Sequence, residues 1–140
     1  MEKRLKTQNL LFMFGVVVLL LLLFTWGSPW SLQRCVGTVL AIVGVSGVAL
    51  ARYQLGASFS VSAKARHLVT TGIYSKIRNP IYVCSLMTLT GVALVLQQPA
   101  FWIFLAAVAV LQTVRARQEA KVLEAAFGEQ YREYRRKTWF

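Results

Sequence analysis

Long uncharged runs alternate with short polar and basic stretches along this chain. No charged side chain lies between Lys6 and Arg34, between Arg34 and Arg52, or between Arg78 and Arg115. A helix needs about 20 residues to cross the hydrocarbon layer, or roughly 17 at the short end. The first two runs therefore predict one span each, and the third is long enough for two. The spans are placed at residues 10–26, 35–51, 81–96 and 100–114, with Gln97, Gln98 and Pro99 turning the chain between the last two. A turn that short makes those two an antiparallel hairpin. Trp26 and Trp30 stand where interfacial aromatics anchor a span. The basic start followed by an apolar run also has the outline of a cleaved signal peptide. The run exceeds an ordinary signal core and no small-x-small cleavage site follows, which favours a retained span.

Within the second span, Gly37, Ala41, Gly44 and Val48 recur at spacings of four, three and four, placing small residues on one helix face. Such a face lets two helices approach closely and carries no chemistry of its own.

Beyond residue 114 the pattern becomes amphipathic. Leu123 and Phe127 follow Arg115 and Glu119 in steps of four, so these residues share one helical stripe. Gly128 is placed to end that helix, and a second short amphipathic piece begins at Glu129 with Tyr131 and Tyr134 facing inward. Apart from Glu2, every acidic residue lies in this tail. Glu124, Glu129 and Glu133 suit a solvated face alternating with arginines. Glu119 is different, because it lies on the apolar stripe close to the membrane surface, where a carboxylate without a partner is costly. An i,i+4 ion pair with Arg115 is the simplest account, and its order, Arg before Glu, is the weaker one.

Composition agrees with a membrane protein and adds an orientation. The chain has 140 residues, room for one domain, with 56% hydrophobic residues and a mean hydropathy of +0.53. Three basic residues precede the first span (Lys3, Arg4, Lys6), and five lie between the second and third (Arg52, Lys64, Arg66, Lys76, Arg78). Seven follow the fourth (Arg115, Arg117, Lys121, Arg132, Arg135, Arg136, Lys137), and only Arg34 falls on the other side. The positive-inside rule then makes both termini and the central loop cytoplasmic, as in an inner (plasma) membrane protein. The formal net charge of +11 does not by itself indicate nucleic acid, because the charges cluster at span ends where topology and anionic headgroups account for them. Cys35 and Cys84 form no CxxC pair and start from opposite faces in this orientation, and His67 is the only histidine, so neither a disulfide nor a metal site is expected. Walker, GxGxxG and GxSxG signatures are absent.

The stretch LVTTGIYSKIRNPIY, residues 68–82, is a polar, turn-rich segment between apolar runs. Backbone at membrane depth must be satisfied by protein, water or ligand, so such a segment marks a candidate site. Together with the hydrophobic hairpin and the tail RARQEAKVLEAAFGEQYREY that follow it, this segment resembles the integral membrane methyltransferases that include isoprenylcysteine carboxyl methyltransferase and the phospholipid methyltransferases. The family pattern is approximately LVTxGxYxxxRHPxY, a two-helix hairpin, then RxRxEExxLxxxFGxxYxxY. The resemblance runs from about Arg52 to Tyr134, and the earlier spans match only as apolar helices.

The resemblance implies an all-helical, four-span membrane protein, a single domain over residues 1–140, with a cofactor loop at 53–80 and a cytoplasmic C-terminal helical tail at 115–140. It implies S-adenosylmethionine as cofactor and a lipophilic or amphiphilic small molecule as methyl acceptor. By position it maps a cofactor pocket onto Arg66, His67, Leu68, Val69, Tyr74, Asn79, Pro80 and Tyr82, adds the cofactor-contacting glutamate as Glu119, and assigns Arg115 to the acceptor. Chemically, Glu119 suits the α-ammonium, backbone N–H groups of the Thr71–Gly72 turn suit the carboxylate, and the rings of Tyr74 and Tyr82 suit the sulfonium or adenine. Arg115 offers paired hydrogen bonds to an acceptor carboxylate or phosphate. No residue is assigned as a catalytic acid or base. Two positions depart from the pattern: Asn79 replaces the histidine of RHP, and Ala120 replaces the second glutamate. Asn keeps hydrogen-bonding capacity but titrates nowhere near neutral pH. These departures favour the alternative of a noncatalytic membrane protein that keeps the fold for assembly or small-ligand binding.

Overall fold

The structure, a computed structural model, describes residue 27 and residues 29–55 and 68–140. The predicted first span and most of the central loop, including Arg66 and His67, lie outside the described residues. Helix α1 runs over Leu32–Leu55, a single 3-10 turn over Gly72–Ser75, α2 over Pro80–Leu96, α3 over Pro99–Phe127 and α4 over Glu129–Lys137. Among the described residues there is no strand, and the only extended pairing is an isolated parallel bridge between Ile77 and Trp139.

Two helices, α1 with 24 residues and α3 with 29, are long and apolar enough to cross a membrane, and α2 is a shorter apolar helix of 17 residues. At 1.5 Å per residue these are about 36, 43 and 25 Å long. The described residues thus contain two helices of spanning length where the hydropathy pattern predicts three spans. Proline and the residue before it set where α2 and α3 begin. Asn79 and Gln98 hold non-helical backbone, and Pro80 and Pro99 occupy the first turn, where the missing N–H costs nothing. Gln97 closes α2 in a left-handed conformation, φ 54°, with its N–H on the Ala93 carbonyl at 3.0 Å.

Helix α1 packs against α2 through the small-residue face. Gly37, Ala41, Gly44 and Ala51 are buried, Val48 is half-buried, and Cys84, Thr88, Gly91 and Val95 oppose this face from α2. The backbones meet so closely that a Cβ on Gly44 would stand 2.6 Å from the Thr88 nitrogen and 2.8 Å from the Cys84 carbonyl. Short loop length and cross-helix hydrogen bonds both fix α2 and α3 as the predicted hairpin: Gln112 Nε2 donates to Ser85 Oγ at 2.9 Å, and the Tyr82 hydroxyl donates to Glu119 at 2.5 Å.

The sequence boundary drawn at residue 114 is not a structural one. Helix α3 continues from the apolar stretch into the charged tail without a break, because residues 115–127 contain no glycine or proline and consist largely of good helix formers. It stops where expected, at Gly128, whose φ of +50° disfavours other residues and whose N–H caps Glu124 at 2.9 Å. Helix α4 then folds back with Tyr131 and Tyr134 buried.

Candidate functional site

The site is assembled at the end of the bundle where α1 and α3 carry their charges and α2 begins. Arg52, Lys76, Arg78, Arg115, Arg117 and Lys121 all belong to this end. At the opposite end, where Gln97 Nε2 reaches Ser31 Oγ at 3.4 Å, the basic residue among those described is Arg34.

Gly72 starts the 3-10 turn with φ +61°, and a Cβ there would run into the Gln54 side-chain amide. That amide is engaged: Gln54 Oε1 accepts from the Ile73 N–H at 2.8 Å, tying the turn to the end of α1. The turn buries Tyr74, whose hydroxyl faces the Ala51 carbonyl at 3.4 Å and whose carbonyl accepts from the Tyr134 hydroxyl at 2.8 Å. A single residue therefore joins α1 to α4. The Arg78 and Asn79 N–H groups donate to the Trp139 and Phe140 carbonyls at 3.2 and 3.0 Å, and the Trp139 N–H returns a bond to Lys76 at 3.2 Å. The segment 76–79 is thus strapped by Trp139 and Phe140 before α2 begins.

Across from this turn stands Glu119 on α3. It is half-buried and accepts a short hydrogen bond from the Tyr82 hydroxyl. The anticipated Arg115 pair does not form. Arg115 is exposed and makes no hydrogen bond or ion pair among the described residues, whereas the pairs that do form in the tail, Arg132 with Glu124 and Glu129 and Lys137 with Glu133, lie on the solvated face. Side chains three and four apart compete with tertiary partners, and here α2 supplies the better one.

Burial raises the phenol pKa of Tyr74, with the Tyr134 hydroxyl and then the Glu119 carboxylate adding to it. Tyr134 is pushed up to about 12, chiefly by burial and then by Tyr131, with Arg78 acting in the opposite direction. The Arg78 guanidinium therefore lies within electrostatic reach of the α4 tyrosines, and its Nε is buried with no hydrogen-bond partner among the described residues. Buried donors are nearly always satisfied, so an orphan at a site is a mark of something that completes it.

Of the residues expected at a pocket, the fold brings together Gly72, Tyr74, Tyr82 and Glu119. Pro80 is buried in the first turn of α2 beside them. Asn79 is present through its backbone, with carbonyl bonds to Tyr82 and Val83 and no capping bond from its side chain. Leu68 and Val69 are half-buried ahead of the turn. Arg66 and His67 lie outside the described residues. Sequence reasoning missed Gln54, Arg78 and the Trp139–Phe140 strap. Arg78 carried a signal in its place beside the NPIY turn, but Gln54 and the strap are tertiary partners with no local signature.

Tyr82→Phe tests the pairing directly. Removing the hydroxyl leaves a half-buried carboxylate short of its donor, so stability should fall by about 1–3 kcal/mol, read as a lower denaturation midpoint in detergent.

The profile of the phospholipid methyltransferase family matches residues 32–130 of this chain. The chain belongs to that family. Its match takes in α1, the turn, the hairpin and the Tyr82–Glu119 pair, and ends just before Tyr131. Among curated proteins the chain is 35% identical over 116 residues to the cobalt-zinc-cadmium resistance protein CzcN of Cupriavidus metallidurans, an alignment covering 81% of this chain and 51% of that protein. It is 32% identical over 126 residues to the nickel-cobalt-cadmium resistance protein NccN of Alcaligenes xylosoxydans xylosoxydans, covering 88% of this chain and 58% of that protein. The chain therefore spans little more than half the length of these two relatives. No solved structure matches it.

Proposed function

We propose that this family member is an S-adenosylmethionine-dependent methyltransferase acting on a lipophilic or amphiphilic acceptor, with its pocket at the cytoplasmic face of the inner membrane and both termini on that side. The observation that carries the reading is Glu119: an acidic side chain brought to the membrane-proximal turn, held by a tyrosine hydroxyl and with no ion pair among the described residues.

The donor set fits the cofactor. Glu119 offers an anion for the α-ammonium. Arg78 has a buried donor without a partner, and the Thr71 and Gly72 N–H groups make no hydrogen bond among the described residues, so both are disposed to hold a carboxylate. When bound, S-adenosylmethionine supplies a methyl group on a positively charged sulfur, open to in-line displacement by a nucleophile. The chain's own task is then orientation rather than proton transfer. Tyr82 keeps Glu119 in place, and Tyr134 keeps the Tyr74 turn in place. Helix α3 exposes Ile103, Phe104, Val110, Leu111 and Val114, an apolar surface along which an acceptor can approach from lipid. Arg115, exposed at the end of that surface, is suited to an acceptor phosphate or carboxylate.

Isothermal titration of the detergent-solubilised protein with S-adenosylmethionine is expected to show saturable binding, and labelled methyl groups are expected in the lipid phase when membrane extracts are added. No heat of binding from well-folded protein overturns the reading. Asn79 and Ala120 favour a second reading, in which the fold binds a small ligand without transferring a group. Binding with no labelled product from any lipid fraction would select it. The two relatives are named for metal resistance, and among the described residues no group of three or more His, Cys, Asp or Glu stands together.

A further inference from the structure

The Trp139–Phe140 strap is tied to the body by main-chain hydrogen bonds, from the Arg78 and Asn79 N–H groups to its carbonyls and from the Trp139 N–H to the Lys76 carbonyl. Its two rings are exposed, 63% for Trp139 and 38% for Phe140. A segment held by a few backbone bonds, with its rings unburied, belongs to the low-stability end of a fold and opens readily by itself.

The fold fixes the depth of this strap. Its partner segment follows the 3-10 turn that Gln54 ties to the end of α1, a helix of spanning length, and leads into the apolar α2 at Pro80. The Phe140 carbonyl lies 3.0 Å from the nitrogen of Asn79, the residue before Pro80. The strap therefore lies where two apolar helices end, at the headgroup level of a bilayer. An exposed tryptophan at that depth stands as an interfacial anchor, and its N–H and C=O, both already paired, enter the interface without loss.

Charge selects the lipid. The α4 carboxylates are engaged, Glu129 with Arg132 and Glu133 with Lys137, and Arg132 also takes Glu124. Arg135 and Arg136 are exposed and make no ion pair among the described residues. Lys76, also exposed, stands on the strapped segment beside Trp139. Spare cations next to exposed rings at the interface suit anionic headgroups above and the acyl boundary below. A soluble acidic partner would use the cations but not rings held at bilayer depth.

We infer that Lys76, Arg135, Arg136, Trp139 and Phe140 form one surface that docks on anionic lipid headgroups, and that this docking keeps the strap closed on the Arg78–Asn79 backbone. The order of the candidate site then follows the anionic lipid content of the membrane. Strap closure is read without cofactor, so the inference stands apart from the methyltransferase reading.

The test is amide hydrogen exchange on the full chain in nanodiscs of phosphatidylcholine alone or mixed with phosphatidylglycerol. The Arg78 and Asn79 N–H groups exchange when the strap opens. In wild-type protein they are expected to exchange about fivefold more slowly with phosphatidylglycerol present, the weight of one cation at an anionic surface, and added salt should shrink the difference. Replacing both arginines, Arg135→Gln and Arg136→Gln, keeps good helix formers at exposed positions and is expected to bring exchange in the mixed lipid to the phosphatidylcholine rate. Trp139→Ser keeps the main-chain bonds, removes the ring, and is expected to speed exchange in both lipids. Equal exchange in the two lipids for wild-type protein overturns the inference, as does a lipid difference that survives the double substitution. A lipid effect of the same size at Ala41 and Gly44 would mark loosening of the whole bundle and overturns it as well.

Discussion

Glu119→Ala is expected to remove S-adenosylmethionine binding while leaving the protein folded. A hydrogen bond to a charged group contributes roughly 1.5–3 kcal/mol, so affinity should fall about 10- to 150-fold in the calorimetric titration. The fold should survive, because the carboxylate makes no ion pair among the described residues and its removal costs the bundle one part-buried hydrogen bond. Glu119→Gln separates charge from shape. It keeps an acceptor for Tyr82 but offers no anion to an ammonium, so it should lose nearly as much affinity as alanine. Wild-type affinity in both variants would remove Glu119 from the pocket.

The second large effect belongs to the scaffold. A Cβ added at Gly91 would meet the Ala41 backbone nitrogen, the Gly37 carbonyl at 2.5 Å and the Ala41 Cα at 2.9 Å. All three are main-chain atoms, so no rotamer change relieves the contact and α1 must move away from α2. Gly91→Ala is therefore expected to cost about 3 kcal/mol, the upper end for overpacking. The site should suffer with it, since Gln54 and Ala51 at the end of α1 hold the Gly72–Tyr74 turn. Thermal unfolding in detergent, together with the S-adenosylmethionine titration, checks both consequences. An Ala substitution that leaves the midpoint unchanged would mean the helices are not packed at this distance.

The two effects differ in kind. Glu119 acts on a ligand and leaves the bundle intact, whereas Gly91 acts on the bundle and reaches the site only through α1. Measured side by side, they separate loss of a binding group from loss of the frame that positions it.

Much of this protein is legible in one dimension. Uncharged runs placed the helices, Pro80 and Pro99 their starts, Gly128 the end of α3, and the small-residue spacing of Gly37, Ala41 and Gly44 the face that packs on α2. Each is a local property, set by what a few neighbouring residues permit the backbone to do. The inward turn of Tyr131 and Tyr134 followed from period alone as well. Tertiary structure decided the partners. Periodicity put Glu119 on the inward stripe, but Arg115 was its nearest neighbour in sequence, and only the hairpin register delivers Tyr82 instead. The same register pairs Gln112 with Ser85, and the folding back of α4 brings Trp139 and Phe140 onto the Arg78–Asn79 backbone. Such contacts join residues far apart in sequence, so no spacing rule encodes them; they exist because close helix packing brings unlike segments to the same end of the bundle.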